Sequence, residues 1–138
     1  MKTLYEAHAS ATGGRDGHVT TNDGTLDLRL SLPKGLGGAG GPGANPEQLF
    51  AAGYAACFDN ALIHVARQQK IKLEGTRVDA TVGIGPNDRG GFALAVRLEV
   101  TVPGVPRDEA QALIAQAHAV CPYSNAVRGN VDVELILR

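Results

Sequence analysis

Between Leu49 and Phe58 the chain reads Leu-Phe-Ala-Ala-Gly-Tyr-Ala-Ala-Cys-Phe, a run with no charged side chain and no polar face. A clear helix start precedes it. Asn45 is placed as N-cap, Pro46 takes the first helical position, where its missing N–H would have had no partner, and Glu47 complements the dipole in the first turn. The helix predicted from 46 to about 70, with Gly53 as its one weak point, is therefore apolar all round in its first half, and such a helix has to be covered on every side. A chain of 138 residues is expected to form a single domain over 1–138 with a real core. Wrapping this helix completely is harder for so small a chain. A second copy is the simplest cover, and Ala52, Gly53, Ala55 and Ala56 would let another helix approach closely. The expectation is a homodimer with Cys57 near its interface.

Around that helix the pattern is one of strands. Residues 26–32, Leu-Asp-Leu-Arg-Leu-Ser-Leu, alternate strictly, as a half-exposed strand does. Residues 4–10 and 17–21 are its predicted partners, joined by Gly13-Gly14-Arg15-Asp16-Gly17 and Asn22-Asp23-Gly24. A second hairpin is predicted from Val78, Ala80, Val82 and Ile84, then Phe92, Leu94, Val96, Leu98 and Val100, across a turn at 85–91. A second helix is predicted after Pro106, with Asp108 and Glu109 in its first turn, ending before Cys121-Pro122; Val131 to Leu137 is the last strand. Strands, a long central helix, a hairpin, a helix and a strand do not alternate as a doubly wound parallel sheet does. The expected class is α+β with mainly antiparallel pairing.

Charge narrows the partners. A net charge of −1, with no basic or acidic block, points to neither nucleic acid nor an anionic membrane. The N-terminal residues place Glu6 and His8 where a signal peptide needs its apolar run, and no stretch approaches the ~18 apolar residues of a membrane span, so a cytoplasmic location is expected. Gly35-Leu36-Gly37-Gly38-Ala39-Gly40 matches the string GxGxxG. The strand before it alternates where a βαβ strand is continuously apolar, and twenty residues on Asp59 falls in mid-helix. A glycine loop leading into the helix is the better reading, and no bound cofactor is expected.

Cys57 and Cys121 are the only cysteines. They are too few for a four-ligand zinc site, and His8, His18, His64 and His118 show no ligand spacing with them, although His118 lies close to Cys121. Cys57 in an apolar helix, taken alone, reads first as inert packing. Cys121, at a helix end in Cys-Pro-Tyr-Ser-Asn, could pair with it as a dithiol, and spacing leaves that open. A buried thiol needs a cation to become thiolate. Arg15 in its glycine turn is a candidate, or an ordinary exposed turn arginine; Glu47 is a candidate partner, or simply a first-turn acid.

Three segments together resemble the organic hydroperoxide resistance family, within the superfamily that includes the OsmC proteins. They are Gly13-Gly14-Arg15-Asp16-Gly17, the stretch from Asn45-Pro46-Glu47-Gln48-Leu49-Phe50 through Ala51-Ala52-Gly53-Tyr54-Ala55-Ala56-Cys57-Phe58, and Val120-Cys121-Pro122-Tyr123-Ser124-Asn125-Ala126. They lie near the start, middle and end of the chain. The last favours the hydroperoxide-resistance branch over the OsmC branch, and Val127 departs from it where a threonine is expected. The resemblance implies an OsmC-like intertwined homodimer with sites at its interface. It implies that Cys57 is the peroxidatic cysteine, Cys121 the resolving cysteine, and Arg15 and Glu47 the pair that holds the thiolate. The reductant it implies is an external dithiol, a dihydrolipoyl group on a partner protein.

The expected activity is reduction of organic hydroperoxides through a Cys57 sulfenate and a Cys57–Cys121 disulfide. Phe50, Phe58 and Tyr123 are the candidate pocket walls, favouring alkyl or lipid hydroperoxides. An OsmC-type peroxidase, a redox-sensing module that does not turn over and a structural dimer are the alternatives. Glu47 and Cys57 stand ten residues apart on one predicted helix, about 15 Å along its axis. One arginine cannot readily touch both, so Glu47 is expected to come from the second subunit.

Overall fold

The computed structural model describes residues 1–138 and resolves into two compact units, Met1–Leu49 and Phe50–Arg138. The boundary falls in the first turns of the long helix, α1 (Pro46–Gln68).

The first unit is a three-stranded antiparallel meander in the order β1 (Ala9–Thr12), β2 (His18–Thr21), β3 (Asp27–Arg29). Ala9 faces Thr21 across the first ladder and His18 faces Arg29 across the second. The glycine turn between β1 and β2 is tight. Gly13 has φ 72°, and a Cβ on Gly17 would fall 1.7 Å from the Thr12 carbonyl oxygen, so only glycine fits there. Both outer strands are shorter than the sequence pattern predicts. Residues 4–8 form no strand, because their partners would lie beyond Thr21, where the chain turns back with Gly24 at φ 74° and Asp23 accepting from the Thr25 N–H. The strand predicted over 26–32 ends at Arg29 because β2 ends opposite it. Leu30 then bonds the Gly17 carbonyl and bridges to Ala44. Leu30 is the single buried residue of this unit. The glycine-rich 35–40 stretch holds only a short turn, Lys34–Leu36, with no helix until Pro46.

In the second unit β4 (Arg77–Pro86) and β5 (Phe92–Thr101) form the predicted hairpin, and β6 (Val133–Leu137) adds to β5 in parallel. Alternating burial on β5 puts Val96, Leu98 and Val100 into the core. They meet Leu113, Ile114 and Ala117 of α2 (Arg107–Val120) and Tyr54, Phe58, Leu62 and Val65 of α1. The fold is α+β with mainly antiparallel strands, as expected. One element was not expected. Pro122–Val127, where no further helix was predicted to follow α2, is a short helix, α3, with Pro122 at its start.

Helix α1 is 23 residues long with mean hydropathy 1.3 over an 18-residue window, which corrects the expectation that no stretch comes near a membrane span by length and composition. Its C-terminal half instead packs in the core, with Ala61, Leu62, Val65 and Ala66 buried. The first half is not covered all round within one chain, since Ala52 and Ala56 are exposed. Leu62 is fully buried, so Leu62→Ala should lower the unfolding free energy by about 2–5 kcal/mol. A denaturant titration showing less than about 1 kcal/mol would contradict the placement of α1 at the centre of this core.

Candidate active site

Cys57 lies on α1 and Cys121 at the corner where α2 hands over to α3. The fold makes that corner from local rules. Pro122 cannot continue α2, because it lacks the N–H that would bond back into the preceding turn. It can start a new helix, so Cys121 takes extended backbone (φ −61°, ψ 124°) between the two. Its N–H still bonds the Ala117 carbonyl and its carbonyl accepts from the Asn125 N–H, at 2.8 and 2.9 Å. The corner therefore presents Cys121 inward, fully buried, while Cys57 is half-buried. The two sulfurs stand 3.6 Å apart, Cys121 donating to Cys57, and both thiols are free. A disulfide bond is about 2.05 Å long, so a closure of about 1.5 Å would join them. No third His, Cys, Asp or Glu groups with them as a metal site.

Burial pushes the Cys57 thiol above its ordinary value, and the neighbouring Cys121 adds to the rise; the backbone N–H of Tyr123 opposes it. None of these groups is a cation. The thiol is placed to react with its neighbour but not to ionise unaided.

In the first unit Arg15 and Glu47 meet as a fork, Nη1 to Oε2 and Nη2 to Oε1, both at 2.7 Å. This bidentate geometry fixes the guanidinium plane. The glycine turn carries Arg15 and the first turn of α1 carries Glu47. The pair forms within one chain and α1 runs unbroken from Pro46 to Gln68. Asn45 and Gln48 cap the same helix start reciprocally, each side chain bonding the other's backbone N–H. The Arg15 bond pulls the Glu47 carboxyl below its ordinary value.

Of the predicted wall residues, Phe50 and Tyr123 form an aromatic cluster with Tyr54, ring centroids 5.7–6.1 Å apart. Phe58 is fully buried, tilted against His118. Gly53 permits the cluster. A Cβ there would sit 2.9 Å from the Tyr123 hydroxyl, so a side chain would push the ring off α1. A cleft of about 460 Å³ opens beside Phe50, lined by Asn87, Arg89, Phe92, Val127 and Val131; neither cysteine lines it. Along the chain Tyr54 carries no signal beyond packing, and His118 stands out only for lying near Cys121. Tyr54 Oη meets Ser124 Oγ at 2.8 Å, and Ser124 Oγ meets His118 Nδ1 at 2.9 Å.

An antiparallel meander, a long apolar helix and a sheet-and-helix unit holding two facing thiols define an α+β protein with a dithiol site. The family model described as OsmC-like protein matches residues 37–136. The organic hydroperoxide resistance protein of Xanthomonas axonopodis pv. citri is 58% identical, over 99% of this chain and 96% of its own. Two crystal structures superpose closely. The organic hydroperoxide resistance protein of Elizabethkingia anophelis has TM-score 0.95 and 57% identity, covering 99% of this chain and 98% of that one. The organic hydroperoxide resistance protein OhrB of Bacillus subtilis has TM-score 0.92 and 47% identity, covering 99% and 100%. This chain belongs to the OsmC-like family, in its organic hydroperoxide resistance branch.

The Glu47 shift carries a sign. A carboxyl whose folded value is depressed contributes above its ordinary value of 4.5, and that contribution is lost as pH falls through the folded value. The Arg15 Nε–H resonance should therefore hold its position through pH 4.5 and move toward that of free arginine only at lower pH. In Glu47→Gln it should sit near the free position throughout. Titration of the wild-type signal at or above 4.5 would show that the pair does not hold in solution.

Proposed function

We propose that this chain is a cysteine-based peroxidase that reduces organic hydroperoxides, alkyl or lipid, to alcohols. The observation that carries the reading is the 3.6 Å approach of two free thiols, one fully buried and one half-buried. The names of its relatives, 58% and 46% identical, supply the substrate class.

In the first step the Cys57 thiolate attacks the terminal peroxide oxygen. The S–O bond forms, the O–O bond breaks, and the departing alkoxide takes a proton to leave as alcohol, with Cys57 oxidised to sulfenic acid. Cys121 sulfur then attacks Cys57 sulfur; the S–S bond forms, and the hydroxyl leaves with the Cys121 proton as water. An external dithiol, of the dihydrolipoyl kind carried on a partner protein, attacks the disulfide and returns both thiols. A reducing compartment such as the cytoplasm suits that cycle. Phe50 and Tyr123 supply apolar surface near the thiols for an alkyl chain.

The cation that ionises Cys57 is Arg15, oriented by Glu47. Since those two pair within one chain, and ten residues of unbroken helix separate Glu47 from Cys57 by about 15 Å along the axis, the pair acts as a unit on Cys57 of a second copy. The exposed Ala52 and Ala56 and the nearly coreless first unit support a second copy as their cover.

Cys57→Ser should abolish turnover of cumene hydroperoxide with dihydrolipoamide; substantial residual activity would defeat the proposal. Cys121→Ser should permit one turnover per chain, and mass spectrometry of the wild type after one equivalent of peroxide should show a loss of two hydrogens mapped to Cys57–Cys121. Mixed dimers test the composite site. Arg15→Ala and Cys57→Ser chains are each inactive alone, but a heterodimer keeps one complete site if the pair acts across subunits. Heterodimers as inactive as their parents would place Arg15 and Cys57 in one chain.

A further inference from the structure

Two rungs join α1 to the Cys121 corner. One is the thiol pair, Cys57 to Cys121. The other is the hydroxyl pair, Tyr54 Oη to Ser124 Oγ at 2.8 Å. Tyr54 precedes Cys57 by three residues on α1, and Ser124 follows Cys121 by three. On a helix, residues three apart share a face, so the second rung sits about one turn from the first. Tyr54 and Ser124 are both fully buried, and Ser124 is the chain's single buried polar residue.

The hydrogen-bond arithmetic gives this rung a direction. A serine hydroxyl has one proton to donate. Burial, reinforced by the Arg128 charge, pushes the His118 imidazole below its ordinary value, which favours the neutral ring. With its proton on Nε2, His118 accepts at Nδ1 from Ser124, and Ser124 accepts from Tyr54. The reverse order would leave the Tyr54 proton without an acceptor among its contacts. Arg128 ties the far side of the corner, donating from Nη2 to the His118 carbonyl at 2.8 Å and to Asn125 Oδ1 at 3.0 Å. Three helices thus meet at one serine: α1 through Tyr54, α2 through His118, and α3 through Ser124 itself.

We propose that the Tyr54–Ser124–His118 chain is a positioning clamp for disulfide formation, holding the corner against α1 so that Cys121 stays within reach of Cys57. These are positioning residues, since they act on the reacting sulfurs through the corner and not by contact. The role rests on the peroxidase reading for its place in the cycle, but the clamp itself is testable without peroxide.

The measurement is the equilibrium between the Cys57–Cys121 disulfide and glutathione, which reports the effective concentration of one thiol at the other. Tyr54→Phe should lower it about tenfold. His118→Leu, at a half-buried site, should do the same, whereas His118→Asn, whose amide can replace Nδ1 as Ser124's partner, should restore it. Thermal melts of each variant separate this from loss of fold, because a merely structural residue shifts the melt without a matching change in the dithiol equilibrium. Should Tyr54→Phe fail to fold, the two His118 variants decide. An unchanged equilibrium in folded His118→Leu overturns the clamp, as does His118→Asn behaving like His118→Leu. If the equilibrium shifts as expected while the wild type consumes no hydroperoxide, the clamp stands and the peroxidase reading falls.

Discussion

A thiol set among apolar side chains resists ionisation, and here the surroundings that impose this also hold the larger unit together. Tyr54, Phe58, Leu62 and Val65 recur at helical spacing along one face of α1, all buried in the core. Cys57 precedes Phe58 on the flank of that face, half-buried. Exposing the thiol would mean withdrawing Phe58 from the core, and a fully buried aromatic side chain stabilises by about 1.5–3 kcal/mol. The helix therefore keeps Cys57 where ionising it is costly, so the proposed peroxidase needs a charge brought from elsewhere.

That requirement separates two kinds of contact. The Arg15–Glu47 fork is partly exposed, with the arginine side chain at 35% and the glutamate at 13%, and water screens such a pair enough that it adds little to stability. Its value is directional, since two parallel bonds fix the plane of the guanidinium where one would leave it free to turn. The dithiol works through distance. Two sulfurs 3.6 Å apart need only a small closure to bond, and the proposed clamp acts on that closure.

Much of this was legible in the residues. The start of α1 is written in Asn45, Pro46 and Glu47, and the β4–β5 hairpin in strict alternation, because both signals are local. Other features were lost because they depend on neighbours distant in sequence. Leu4 and Tyr5 alternate plausibly with their surroundings, yet β2 turns away before it could pair with them. Pro122 to Asn125 are turn-forming residues, and they also start a helix once α2 has stopped above them. Tyr54 sits in an apolar run and reads as packing; the hydroxyl that uses it, on Ser124, lies 70 residues later.

The sequence by itself determined the long apolar helix, the α+β class, the two cysteines as the reactive candidates and the family that their flanking motifs match. Its resemblance to that family, and not the residues taken one by one, named Arg15 and Glu47, which by themselves read as a turn arginine and a first-turn acid. Only the tertiary structure decided that the two thiols face each other, that Arg15 and Glu47 pair within one chain, and that Tyr54 and Ser124 form a second rung beside the first. The reason is physical. Helix periodicity, caps and turns depend on residues within a few positions and can be read along the chain, whereas a 3.6 Å sulfur contact depends on how α1, α2 and α3 pack, which no local spacing encodes.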